Sequence, residues 1–374
     1  MSRDANDSAD LTRSASSSPD HTTDSSLPHH SVLAVGILTS DIVLDCSHYP
    51  TEDESIRAST RHVRPGGNAT NLLRVLSQLA ASPPSRERMA VSTSLLASLG
   101  SAETTAASVQ CLHSYGIDTS HCPSHAEHPL PTSYIVNSQR TGSRTIVHYR
   151  GQLPELSAAH FTPLLAHSHT LYHFEGRANT SDLHTILATL TSQHYQQQQR
   201  VMHPFSRWPL VSLEVEKHRD GIEQLFHLPN LLILSHDYAL TLHPSATSPT
   251  HCLNSLPLHC PLLPQPPHQL IVVCWGEQGA AVRWSDGRVC TSAAERVETV
   301  VDSVGAGDSF IAALLYGMLA FKAELARQGG VMEGLVERVL EFANGVAGAE
   351  CRVSGIDLPQ PVIEQLLSKL YTAR

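Results

Sequence analysis

Nine residues near the C-terminus, Asp302-Ser-Val-Gly-Ala-Gly-Asp-Ser-Phe310, combine two glycines, a carboxylate and a helix start, a set suited to phosphoryl transfer. Gly305 and Gly307 carry no side chain, so the amides of Ala306 and Gly307 can approach an anion closely. Ile311, Leu314, Leu315 and Met318 recur at helical spacing, which predicts a helix from Ser309 with one apolar face and its N-terminus at the glycine turn. The positive end of that helix favours an anion, and Asp308 stands beside it as a candidate general base. A helix corner capped by Asp308 would leave the same local trace, so a second signature elsewhere is needed.

Pro65-Gly66-Gly67-Asn68-Ala69-Thr70-Asn71 runs into Leu72, Leu73, Val75, Leu76 and Leu79, which form an apolar helix face. Alone, it reads equally as a flexible turn with an asparagine N-cap. Asn68-Ala-Thr70 fits a glycosylation acceptor, but no secretory leader pattern supports that reading. Other motifs fall away. His218-Arg219-Asp220 copies a protein-kinase tripeptide without the rest of that signature, and no Walker-type loop occurs. His121/Cys122/His125/His128 and His251/Cys252/His259/Cys260 have ligand chemistry but lie in proline-rich, loop-like stretches and are not read as metal centres.

The elements that must position these motifs follow a βα alternation. Residues 1–30 are rich in Ser, Asp and Thr and are expected to be a disordered tail, since they have little apolar surface to offset the entropy of ordering. Ser31–Leu38 reads as a buried first strand, and Val91–Leu99, Leu171–Phe174, Val211–Val215, Leu231–Ser235 and Leu270–Trp275 as further strands of a doubly wound sheet. Strand-only excursions near 39–64 and 132–149, the second a hairpin across Gln139–Gly142, predict a small sheet beside the main one. Residues 243–268, rich in Pro, His and Ser, are expected to be a surface insertion without structure of its own. Val331–Ala349 predicts a helix packed near the one at Ser309, and another helix is expected from Gln360.

With 374 residues, 41% of them hydrophobic, the chain can bury a large α/β core. Its formal net charge of −10 argues against a nucleic-acid partner, and no apolar run is long enough to span a bilayer, so neither partner is expected. The eight scattered cysteines read as reduced thiols, which places the protein in the cytoplasm.

The two glycine signatures, in this order and separation, resemble those of the PfkB family of ribokinase-like sugar kinases, with Ser303 standing for the commoner threonine. Within the family the nearest resemblance is to the ketohexokinase branch. Tyr49–Arg57, Gly142–Ile146, His173–Arg177 and Val211–Lys217 carry it, and with the signatures they cover most of residues 31–358.

The resemblance implies a ribokinase-like doubly wound, mostly parallel sheet flanked by helices, with a small β-sheet lid that also makes a homodimer contact. It implies transfer of the γ-phosphate of ATP, with Mg2+, to a primary hydroxyl of a ketohexose, giving fructose 1-phosphate from D-fructose. By position, Asp41, Asp53, Gly67, Asn68 and Asn71 match residues that hold the sugar, and Asp308 the catalytic base beside Gly305, Ala306 and Gly307. Arg144 matches an arginine near the transferring phosphate. Gly276 and Gly279 match a nucleotide-contacting turn, and Asn344 the lining of the adenine. A monovalent cation such as K+ behind the glycine turn is implied at Asp302 and the carbonyl of Val304. Short carboxylates and amides suit a neutral polyol, since each can fix two hydroxyls with little side-chain entropy to lose.

One departure is plain. Ser235-His236-Asp237-Tyr238 stands where many ribokinases carry an Asn-x-x-Glu pattern that positions magnesium, so those acids stay unassigned, with Glu214 and Glu216 as candidates. A related kinase for ribose or another sugar, and a non-catalytic sugar- or nucleotide-binding protein on the same fold, remain as alternatives.

Overall fold

The computed structural model describes residues 27–82, 85, 88–197, 209–259, 269–325 and 331–372. The strands are β1 (His29–Val35), β2 (Thr39–Cys46), β3 (Thr60–Gly66), β4 (Ala90–Leu96), β5 (Ile117–Asp118), β6 (Thr132–Ser138) and β7 (Arg144–Tyr149). They continue with β8 (Leu171–Glu175), β9 (Leu210–Val215), β10 (Leu231–Leu234), β11 (Leu270–Cys274), β12 (Ala280–Trp284) and β13 (Val289–Ser292). The helices are α1 (Asn68–Ala81), α2 (Ala102–Ser114), α3 (Ala158–Phe161), α4 (Thr180–Gln197) and α5 (His236–Leu242). After them come α6 (Pro249–His259), α7 (Ala306–Ala320), α8 (Lys322–Leu325), α9 (Val331–Glu350) and α10 (Gln360–Thr372).

Nine strands make the main sheet in the order β13-β12-β11-β10-β9-β8-β1-β4-β5. Neighbours from β5 to β11 pair in parallel, and β12 and β13 finish one edge antiparallel. Along β1, Val32 and Ala34 pack into one helical layer and Leu33 and Val35 into the other; β11 alternates likewise, with Leu270 and Val272 against Ile271 and Val273. Because both faces are covered, these strands read as unbroken apolar runs. β1 lies between β4 and β8, so the strand order reverses there, and a crevice forms at the carboxyl ends of such strands.

A second sheet, β3-β2-β6-β7, stands over that edge, with β2 and β6 parallel and its outer pairs antiparallel. It is the small sheet expected from the strand excursions, with β3 running from Thr60 to Gly66 and so reaching the glycine motif itself.

Four expectations need correction. α7 starts at Ala306 rather than Ser309, with Gly305 at its N-cap in the left-handed region, so Asp308 lies inside the first helical turn. Nor has α7 a single apolar face. Every residue from Asp308 to Leu319 is buried, because α1 and α9 both pack on it within the core of one helical layer. Gly317 makes the approach of α9 possible: a Cβ there would lie 2.8 Å from a methyl of Val339.

The segment 243–268 is not structureless either. Ser248 Oγ accepts from the His251 N–H at 3.1 Å and opens α6, whose Cys252, Leu253 and Leu256 are buried in the second layer. Proline at the first helical position suits a helix start, which the composition of the segment disguised. Its remainder from 260 lies outside the described residues.

The tail expected over 1–30 ends earlier than that, since His29 and His30 already pair with Ala90 and Val91 in β1; residues 1–26 lie outside the described residues.

Candidate active site

The crevice between the two sheets is a cavity of about 510 Å³, and both glycine motifs line it. Gly67, Asn68 and Asn71 come from the start of α1, Gly305, Gly307 and Asp308 from the start of α7, and Asp41 and Arg144 from the small sheet. Gly67 is required where it stands: its φ is 102°, and a Cβ would fall 2.2 Å from the carbonyl oxygen of Ile37. That approach lets α1 begin beside the loop after β1 and directs Asn68 and Asn71 into the cavity.

Asn71 Nδ2 donates to Asp308 Oδ2 at 2.9 Å. Burial, and then the negative charge of Glu214, push the Asp308 carboxyl well above its ordinary range, while the Asn71 bond opposes the shift. A carboxylate of raised basicity at a helix N-terminus is what a hydroxyl-activating base requires. Gly305 and Gly307 line the cavity beside it; the Ala306 amide instead faces Ser303 O at 3.5 Å.

Asp41 is buried in β2 and accepts from Thr39 Oγ1 at 2.8 Å. Burial raises its pKa, partly offset by hydrogen bonds from Thr39 and Ser133. Asp53, by contrast, lies in the exposed turn between β2 and β3, with φ 63°, and is not among the cavity's lining residues. Arg144 bridges from β7 to the glycine turn, donating to Ser303 Oγ. Val43 and Ile135 of the small sheet close on Val304 in the same turn. The small sheet therefore rests on the glycine turn.

Gly276, Gly279 and Asn344 gather elsewhere. Gly279, φ 86°, is pressed against Ser292 O, and Asn344 Nδ2 donates to Ser292 O at 3.0 Å, Ser292 Oγ at 3.1 Å and Ala293 O at 3.1 Å. Gly279 and Asn344 thus meet at one corner at the end of β13, and Gly276 opens the turn that leads into it. None of the three lines the main cavity.

Sequence reasoning offered Glu214 and Glu216 only as candidates for positioning magnesium and gave Glu175 no role. Glu175, Glu214 and Glu216 leave the ends of β8 and β9 and line the cavity with Asp308. Asn68 Nδ2 donates to Glu214 Oε1 at 3.0 Å and to Glu216 Oε2 at 3.3 Å, while Arg177 Nη1 pairs with Glu175 Oε1 at 2.8 Å. Burial, followed by the charges of Glu175 and Glu216, raises Glu214, whose Oε2 is buried without a hydrogen bond. Beneath it His173 is fully buried, shares a hydrogen bond with Ser212 Oγ at 3.0 Å, and is pushed down to about 4 by burial. The alternation Glu214-Val215-Glu216 at a strand end was the one available signal, since it sends both carboxylates to one side.

Asp302 tests the expected cation. Its Oδ1 accepts from the Val304 N–H at 2.9 Å, and its Oδ2 from Arg64 Nη2 at 2.9 Å and the Gly355 N–H at 3.2 Å. A guanidinium already neutralises this carboxylate, so Asp302 does not fit a second cation. Glu350, at the end of α9 behind the turn, is fully buried with both oxygens lacking a hydrogen bond, and burial with the nearby Asp302 and Asp308 charges pushes it up to about 9.

A parallel sheet with an antiparallel edge and a second, smaller sheet over the cleft is the ribokinase-like fold. Ribokinase from Giardia lamblia superposes with a TM-score of 0.72 at 14% identity, over 90% of this chain and 99% of that one. Ribokinase from Arabidopsis thaliana, solved in complex with ribose and ATP, gives 0.64 at 16% identity, over 91% of this chain and 99% of that one. Residues 29–363 match the pfkB family carbohydrate kinases, and the chain belongs to that family. Mouse ketohexokinase is 28% identical over 328 residues, which cover 87% of this chain and 97% of the mouse protein.

Proposed function

We propose that this sugar kinase transfers the γ-phosphoryl group of ATP to a primary hydroxyl of a ketohexose, converting D-fructose to fructose 1-phosphate. The observation that carries the reading is the Asn71–Asp308 hydrogen bond, which joins the sugar-side and phosphate-side motifs in one cavity. The similarity to mouse ketohexokinase supports fructose as acceptor.

Asp41, Asn68 and Asn71 orient the sugar, with Gly67 allowing close approach. Asp308 takes the proton as the hydroxyl oxygen attacks the γ-phosphorus; the bond to the β–γ bridging oxygen breaks and ADP leaves with that electron pair. Gly305, Gly307 and the start of α7 stabilise the charge on the moving group, and Arg144 meets it from the lid. Gly276, Gly279 and Asn344 hold the nucleotide. Mg2+ would neutralise phosphate charge when bound with the nucleotide, and Glu214 and Glu216, which line the cavity floor, are the carboxylates that would help hold it.

The outward face of the lid bears Val63, Ile42, Tyr134 and Val147, which stand in one row across the four strands, three of them strongly exposed. A second copy of the chain covers that row in the proposed homodimer. Cys46, Cys111, Cys122, Cys252, Cys274 and Cys351 are free thiols, which supports a cytoplasmic setting. Among the described residues no helix is long and apolar enough to cross a membrane.

The ribokinase structures favour a second reading, a kinase for ribose or another sugar. ATP- and magnesium-dependent phosphorylation of fructose, ribose and other sugars, with Asp308→Asn alongside, separates the two. Strong preference for an aldose sinks the fructose assignment. Binding of sugar and nucleotide without turnover of any sugar favours a non-catalytic binding protein.

A further inference from the structure

We propose that the Arg64 guanidinium serves as this chain's built-in monovalent cation, holding the back of the glycine turn so that nucleotide binding and phosphoryl transfer need no potassium ion.

Asp302 opens the turn and is 5% exposed, so its charge needs a partner close at hand. Arg64 supplies one at 2.9 Å. The same guanidinium is held from behind by the turn that follows α9: Gly355, with φ 80°, lies so close that a Cβ there would fall 2.7 Å from Arg64 Nη1. Arg64 is therefore wedged between Asp302 and Gly355, and the Gly355 N–H completes the arrangement by donating to the same carboxylate. A free cation at Asp302 would meet a like charge at ion-pair distance, where repulsion in a partly buried site is strong.

Position in the chain adds a reason for an arginine here. Arg64 lies in β3, three residues before Gly67, so one side chain ties the start of the sugar motif to the start of the phosphate turn. A diffusible ion would fix the turn alone. Glu350, buried behind Gly305, is the other place where a cation could sit, and the experiment separates it.

The proposal rests on the kinase reading only through its activity readout; equilibrium ADP binding and the thermal midpoint report on it without turnover. Wild-type protein and Arg64→Ala are compared in potassium, lithium and choline chloride at equal ionic strength. Wild-type ADP affinity and midpoint are expected to agree within about twofold and within error across the three salts. Arg64→Ala leaves Asp302 without its counter-charge, so ADP binding in choline weakens by about tenfold and recovers in potassium but not in lithium. Potassium tightening wild-type ADP binding more than about fivefold overturns the proposal, and loss of that response in Glu350→Gln would put the ion at Glu350 instead. Equal ADP binding by wild type and Arg64→Ala in choline also overturns it. If Arg64→Ala does not fold, the wild-type comparison decides alone. Potassium-independent ADP binding with no turnover of any sugar counts against the kinase reading and not against this one.

Discussion

Asn71 and Asp308 stand 237 positions apart in the chain, yet the amide of one donates to the carboxylate of the other at 2.9 Å, and both are buried. The bond favours the ionised form of a carboxyl that burial and neighbouring acids drive the other way. Asn71→Ala removes that opposition, so the Asp308 pKa rises further. The acidic limb of the pH profile of kcat/KM is expected to move up by about one pH unit. An unmoved limb would show that Asp308 is not the titrating base.

Gly67→Ala places a side chain at φ 102° against a backbone carbonyl that cannot easily retreat. A loss of at least about 1–3 kcal/mol is expected, with sugar affinity falling because the start of α1 must shift. Chemical denaturation together with sugar titration checks both; unchanged stability would mean that the turn has slack.

His173 makes the protein sensitive to acid. Its pKa is about 4 when folded and ordinarily 6.5, so the unfolded chain binds the extra proton between those values. Its contribution to stability is complete above 6.5 and is lost as pH falls toward 4, at no more than about 1.4 kcal/mol per pH unit for one group. His173→Gln should flatten the fall in thermal midpoint over that window, and a slope identical to wild type would rule His173 out as its source.

Val147→Asp puts a charge into the apolar row on the outer face of the lid, where Val147 is 62% exposed. Light scattering after size exclusion is expected to show wild-type dimer and variant monomer, because an unpaired carboxylate opposes burial of that face. A monomeric wild type contradicts the dimer reading.

Much of the architecture was legible without coordinates. The βα alternation, the strand-only excursions and the presence of a helix after each glycine motif are local, written in periodicity and glycine placement within a few residues of each feature. The same locality explains the errors. Proline-rich composition hid α6, because burial of Cys252, Leu253 and Leu256 against the sheet outweighs a weak helical propensity. Helical spacing from Ile311 foretold one apolar face of α7, whereas α9 packs on it through Gly317, a contact that no spacing within α7 announces.

The sequence by itself determined which residue types could bind a polyol and activate a hydroxyl, and which glycines had to turn the chain. Tertiary structure decided which of them meet. Sheet order brings Asn71 to Asp308 and Glu214 to Asn68, leaves Asp53 in an exposed turn, and sends Gly279 and Asn344 to a separate corner. It also pairs Arg64 with Asp302 across 238 positions. Charge partners at such separations leave no periodic trace, since their energy depends on distance through space and on burial rather than on position along the chain.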